Sequence, residues 1–358
     1  MSLRHALEKL LDRRDLAESE ARDVMTSLGT EAFDPAMAGA LLAALRSKGV
    51  TADELRGFAL AMRSLARRPD LPDQVRGIDI VGTGGDSSGS VNISTGTALL
   101  TAACGLPVLK HGNRSVSSRT GSADVLSALG LSLPLDERAA RACLEATNFT
   151  FFFAPYYHPA MRAIAPVRAA LGVQTIFNIL GPLTNPAAPP FELIGAFSLP
   201  VAELMAQTLS GMPIERAFVI HGSNGWDEPT PVAPFVVFDV RPGHVTRETR
   251  SAADYGLATC EPQALAGGDA AHNAAALTAV FEQRDSDAHL DCLLLGAALA
   301  LEVSGAVTHR SQGIDAAREA VTSGRAAQVL RRLGAAGEAA GDKRNADNAA
   351  VGQTEPVV

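Results

Sequence analysis

The sequence predicts an α/β protein in which a small all-helical domain is joined to a larger α/β domain with a mostly parallel central sheet. Three observations carry this. The 358 residues, 47% hydrophobic and 20% charged, have a globular balance and are long enough for two lobes at roughly 150 residues per domain. Up to about Arg68 the apolar residues recur three and four positions apart, a helical period. From Gly77 onward the texture changes to short apolar runs that enter polar, glycine-bearing loops and then helical patterns, as in a parallel sheet with its loops at the strand C-termini.

Taken in order, Leu3, Leu7, Leu10 and Leu11, then Leu41, Leu42 and Leu45, mark the helical stripes of a first domain over 1–72, with breaks near Gly29 and Gly49. Asp34-Pro35 and Thr51 to Glu54 read as helix starts. The Pro-bearing stretch from Arg67 to Arg76 separates this unit from the next. Strands are expected at Gly77–Val81, Pro107–Leu109, Phe151–Phe153, Phe191–Phe197 and Arg216–His221, with an antiparallel or edge strand at Val236–Val240. Helices are expected at Ser94–Gly105 and Ser122–Gly130. Helical stretches near Pro159–Leu171 and Gln174–Leu180 interrupt the alternation and would complete the first domain from within about 159–187. Three more follow at Asn273–Phe281, Asp291–Ser304 and Gln312–Leu333. The α/β domain then runs over 73–333, and 334–358, without periodicity, reads as a disordered tail.

Composition excludes several classes. With 31 Lys and Arg against 39 Asp and Glu, the net charge of −8 opposes a nucleic-acid coat. No apolar run reaches the length of a membrane span, and the first residues lack the pattern of a secretory leader. Cys104, Cys143, Cys260 and Cys292 are far apart, without a C-x-x-C pair. A cytoplasmic protein with no nucleic-acid or membrane partner is the expectation.

The chemistry-bearing residues cluster in loops. Gly82-Thr-Gly-Gly-Asp86 follows a strand and lets backbone N–H groups approach an anion without Cβ obstruction. Asn92-Ile93-Ser94-Thr95 opens the next helix, where free N–H groups favour a second phosphate. After the second strand, Lys110-His-Gly-Asn-Arg-Ser-Val-Ser-Ser118 concentrates cations and hydroxyls suited to a polyanion. Asp227-Glu228 supplies hard oxygen ligands of the kind that hold Mg²⁺ while it bridges to substrate phosphates. Arg168 offers a planar fork to a carboxylate. His158 reads equally as a site residue or a helix-start residue. The segment 178–186 reads as a hinge or helix end. Signatures of hydrolytic nucleophiles are absent.

Together the motifs GTGGD (82–86), NIST (92–95), KHGNRSVSS (110–118), GSADVL (121–126), FAPYYHPAM (153–161), PVR (166–168), FNILGPLTNP (177–186) and the Asp227-Glu228 pair resemble the anthranilate phosphoribosyltransferase family, over roughly Leu7 to Leu333. The resemblance implies Mg²⁺-dependent transfer of phosphoribosyl from phosphoribosyl pyrophosphate to the amine of anthranilate, in tryptophan biosynthesis, by a homodimer. It puts Gly82, Gly85, Asp86, Ser90, Asn92, Ile93, Ser94, Thr95, Lys110, His111, Gly112, Asn113, Arg114, Ser115, Val116, Ser117, Ser118 and Ser122 on the donor. Ser94, Asp227 and Glu228 would hold Mg²⁺. Gly82, Asn113 and Arg168 would contact anthranilate, with His111 and His158 lining its access route, and no residue is assigned as acid or base. The sequence departs from the family pattern at Gln174, at Gly296 and in Pro229–Pro234, which bears on the acceptor more than the donor. The competing readings are transfer to another aromatic amine, a pyrimidine nucleoside phosphorylase, and a non-catalytic nucleic-acid-binding relative.

Overall fold

Local capping chemistry starts the helices where the sequence places them. In the computed structural model, which describes residues 1–335 other than Glu31, Asp73, Ser87 and 116–119, Ser2 caps α1 (Leu3–Leu11). α2 (Glu18–Thr30) follows. Asp34 caps α3 (Pro35–Lys48), and Thr51 and Glu54 close a reciprocal capping box on α4 (Ala52–Leu65).

The α/β part then runs β1 (Ile78–Gly82), α5 (Ile93–Ala103), β2 (Val108–Gly112), α6 (Ser122–Ala128), α7 (Glu137–Thr147) and β3 (Phe149–Phe153). A single turn α8 (Ala154–Tyr157), α9 (Met161–Leu171) and a second turn α10 (Phe177–Leu180) lead to β4 (Phe191–Gly195), α11 (Leu199–Ser210), β5 (Arg216–Gly222), β6 (Phe235–Arg241) and β7 (His244–Arg250). The chain continues through α12 (Ala270–Phe281), α13 (Asp287–Val303), α14 (Arg310–Thr322) and a helical stretch over 325–335.

The seven strands form one sheet in the order β3-β2-β1-β4-β5-β6-β7, parallel from β3 to β5 and antiparallel from β5 to β7. Alternation along the strands feeds two cores. Ile78, Ile80, Phe218, Ile220, Phe235 and Val237 face a core shared with α5, α12, α13 and α14. Ala217, Val219, Val236 and Phe238 face the other, with α11 and residues of α1 to α4, α9 and α10. α13 is apolar on nearly every side because it lies between the sheet, α5 and α14.

The chain leaves β1 for β2 and β3 on one side and returns to β4 and β5 on the other. The point where strand order reverses therefore lies between β1 and β4, and in open α/β sheets the crevice outside the strand C-termini at that point is where ligands bind.

Several elements differ from the sequence reading. β7 was not anticipated: HVTRETR is charged and mostly exposed, and it pairs with β6, which is consequently not an edge. α7 and α11 also form where no helix was expected, capped by Asp136 and Ser198. The single helix expected over Gln312–Leu333 is two, parted at Gly324, whose φ of 79° ends an α-helix. Residues 334 and 335 are helical and not tail, because buried Leu333 anchors the turn and Gly334 packs against Gly130. The remainder of the expected tail, 336–358, lies outside the described residues. No helix among the described residues is long and apolar enough to cross a membrane.

Candidate functional site

β1 and β4 both end in glycine, and this lets a third segment enter the crevice between them. A Cβ on Gly82 would lie 2.5 Å from Asp227 Oδ2, and one on Gly195 would lie 1.5 Å from the Asp227 carbonyl oxygen. The loop after β5 thus lays Asp227 and Glu228 across the strand ends. There Asp227 Oδ2 accepts from Gly84 N at 2.6 Å, and Glu228 Oε1 accepts from Ser94 N at 3.1 Å at the start of α5. Asp86 completes the group, its Oδ2 accepting from Asp227 N at 3.3 Å and its Oδ1 from Ser88 N at 3.1 Å. Gly84 and Gly85, at φ 68° and 78°, make the turn that a residue with a Cβ would resist.

Three carboxylates at one spot repel. Burial and the neighbouring Asp86 push Asp227 up to about 7, and burial and Asp227 push Glu228 well above the usual carboxylate range. The cation facing them is Lys110. It is buried and points into the sheet, where Nζ donates to Ile80 O and lies 3.5 Å from Ser94 Oγ. Burial lowers its pKa while Asp79 and Glu228 oppose that shift. Among the described residues, one ammonium against these carboxylates leaves hard oxygen donors short of positive charge, an environment that fits a divalent cation such as Mg²⁺. Among the described residues no three His, Cys, Asp or Glu side chains are arranged to hold a metal by themselves. Mg²⁺ makes a smaller demand, since it takes one or two carboxylates and completes its shell with water and substrate phosphate.

The loop after β2 is stapled from below by Asp124. Its carboxylate accepts from Ser115 N and Gly121 N, and it pairs with exposed Arg114 at 3.2 Å. Asn113 O accepts from Ser122 Oγ at 3.2 Å, and Gly112 leaves room for that hydroxyl. Val116, Ser117 and Ser118 lie outside the described residues. Asn92 ties the first loop to the second, its Nδ2 donating to Thr120 O while its Oδ1 accepts from Asn273 Nδ2. Ser90 bridges to Ala266. Ile93 and Thr95 are buried.

A second wall adjoins β2. The His111 and His158 rings meet edge to face at 5.0 Å, and His111 Nδ1 lies 3.3 Å from Gly181 O. Burial lowers both, His158 to about 4, so the pair is neutral near pH 7. Arg168 on α9 is partly buried, stacks over Phe177 at 5.1 Å and has no carboxylate partner among the described residues. Its guanidinium is available to an anionic group.

The structure therefore joins the loops after β1, β2 and β5 by direct hydrogen bonds, and links His158 to them through His111. Arg168 makes no hydrogen bond to these loops among the described residues. Sequence reading overlooked Asp79, Asn185 and Gly195. One signal was present: Asp79 is a carboxylate inside an apolar strand. Asn185 belongs to a segment read as a hinge, but in the fold it contacts Asp79 and Leu109.

Comparison with known proteins adds to this geometry. The sequence model of the glycosyl transferase family α/β domain matches residues 74–327, and that of its helical bundle domain matches residues 4–66. The chain belongs to this glycosyl transferase family. Within it, the chain is similar to the anthranilate phosphoribosyltransferase of Methylobacterium nodulans, 43% identical over 93% of this chain and 98% of the relative. It is 42% identical to the enzyme of the same name from Chloroflexus aggregans, over 93% and 98%. The solved anthranilate phosphoribosyltransferase of Thermus thermophilus superposes with a TM-score of 0.86 at 38% identity, covering 93% of this chain and 99% of that one.

Proposed function

We propose that this chain transfers the 5-phosphoribosyl group of phosphoribosyl pyrophosphate to the amine of anthranilate, releasing pyrophosphate, as a step in tryptophan biosynthesis. The observation that carries this reading is the meeting of a glycine loop, a helix N-terminus and a carboxylate pair at the strand-order reversal. Its support is similarity along almost the whole chain to relatives bearing that activity's name. Glycine-loop amides at 82–86, the α5 N-terminus at 92–95 and the loop 110–118 would bind the donor. Ser94, Asp227 and Glu228 would hold Mg²⁺, which when bound neutralises pyrophosphate charge.

In the reaction the anthranilate nitrogen bonds to the anomeric carbon while the bond from that carbon to the pyrophosphate oxygen breaks, and the amine loses one proton. Arg168 would receive the acceptor carboxylate, and Gly82, Asn113 and the neutral His111–His158 wall would orient the ring. An arylamine is already nucleophilic, so positioning and preorganised charge carry the rate. We propose further that the chain is cytoplasmic and dimeric, and that it divides into a helical domain, 1–72 with helices from 159–187, and an α/β domain over 73–333.

Incubated with phosphoribosyl pyrophosphate and Mg²⁺, the purified protein should consume anthranilate, seen as loss of its fluorescence, and chelation of Mg²⁺ should stop the reaction. Arg168→Ala should raise KM for anthranilate by roughly 10- to 100-fold, the worth of a charged hydrogen bond. The donor KM should stay within about twofold of wild type. Turnover with another arylamine but not anthranilate would discard the acceptor, and phosphorolysis of a pyrimidine nucleoside would discard the reaction.

A further inference from the structure

β1 and β2 are parallel neighbours, yet they meet in register at one position, Ile78 opposite Val108. On their other sides β1 pairs with β4, and β2 with β3, along their whole lengths. A parallel pair that stops this early leaves buried main-chain groups that must find other partners.

Side chains provide them. Asp79 Oδ1 accepts from His111 N at 3.1 Å, and Asp79 Oδ2 accepts from Asn185 Nδ2 at 2.8 Å. The same Asn185 Nδ2 donates to Leu109 O at 2.6 Å, and Lys110 Nζ donates to Ile80 O. Asn185 Oδ1 is itself occupied, accepting from Ala187 N at 2.9 Å. Asp79 and Asn185 are wholly buried. On the β1 side the last residues of β2, which lead into the loop at 113–115, are therefore held by an inserted carboxylate–amide brace in place of a ladder, while β3 holds the other side.

We propose that Asp79 and Asn185 are positioning residues that aim the loop after β2, placing Lys110 beneath Ser94 and His111 against Gly181 without themselves touching substrate. The inference rests on the proposed function only in taking that loop to bind the donor. A carboxylate is needed at 79 because both of its oxygens accept. In Asp79→Asn, one of the two contacts would set N–H against N–H. Asn185→Ala removes the bridge from the other side and leaves Asp79 and its charge opposite Lys110 in place.

The test compares wild type, Asp79→Asn, Asn185→Ala and the double variant. In hydrogen–deuterium exchange read by mass spectrometry, the single variants should lose protection over 108–113 and keep it over 149–153. In steady-state kinetics the donor KM should rise about tenfold or more while the acceptor KM moves by less than about threefold. The double variant should be no worse than the poorer single one, because both remove one bridge. A lowered melting temperature with unchanged donor KM and intact protection over 108–113 would overturn the proposal and leave the brace a matter of stability alone. Should Asp79→Asn not fold, Asn185→Ala decides by the same readouts. Wild-type turnover is measured first: its absence counts against the proposed function, and the exchange pattern alone then decides the brace, lost protection supporting it and retained protection overturning it.

Discussion

A methyl group at position 195 would occupy the space of the Asp227 carbonyl. The placement of the acidic pair thus depends on a residue that contributes no chemistry. Gly195→Ala should displace the loop after β5, costing about 1–3 kcal/mol as overpacking does. Because the carboxylates move with the loop, turnover should fall further than stability does. Thermal melting and steady-state turnover, measured together, check this, and unchanged turnover would contradict it. At this scale the sequence was partly legible. Adjacent carboxylates after an apolar run, and glycines after β1, announce themselves within a few residues. What neutralises or crowds them does not, since Lys110 and Gly195 lie on other strands and meet the acidic pair only once the sheet has formed.

At the scale of elements, close backbone approach matters most in the helical lobe. A Cβ on Gly57 of α4 would lie 2.4 Å from Glu18 O and 2.7 Å from Ala21 Cβ, so α2 and α4 cross with almost no side chain between them. Gly57→Ala would raise the intrinsic propensity of α4, yet it should destabilise the protein by about 1–3 kcal/mol, because backbone has nowhere to retreat. Chemical denaturation would show a reduced midpoint, and an increase would mean that the two helices can part at little cost. Elements with strong local signals were readable: capped helices and apolar strands lie where their residues put them. β7 was not, because a charged, solvent-facing strand exists through its pairing with β6. The break at Gly324 was missed for a related reason, since apolar spacing continues across it while the left-handed turn is decided by the backbone.

For the whole molecule, one buried ion pair ties the helical lobe to the sheet. Arg63 of α4 donates through Nε to Leu183 O at 2.8 Å and through a terminal nitrogen to Glu192 Oε1 on β4 at 2.8 Å. Burial outweighs Arg63 and pushes Glu192 up to about 7. A carboxylate raised in the folded state contributes its stability in full below the unfolded value and loses it as pH rises through the folded one. The window is therefore about 4.5 to about 7. Relative to wild type, Glu192→Gln should gain stability progressively across that window, on the order of a few kcal/mol in all. Melting temperature against pH for the two proteins tests it, and parallel curves would refute it.

The sequence by itself determined the class of fold, the order of its main elements and the loops that carry chemistry. Those depend on hydrophobic period, capping residues and glycine position, all of which act within a few residues along the chain. Only the tertiary structure decided that Lys110 turns inward beneath the carboxylates, that Asp79 and Asn185 stand in for a strand ladder, and that Gly195 makes room for Asp227. Each joins residues tens of positions apart. Their energy comes from burial and exclusion of water at a crevice that does not exist until the sheet has formed.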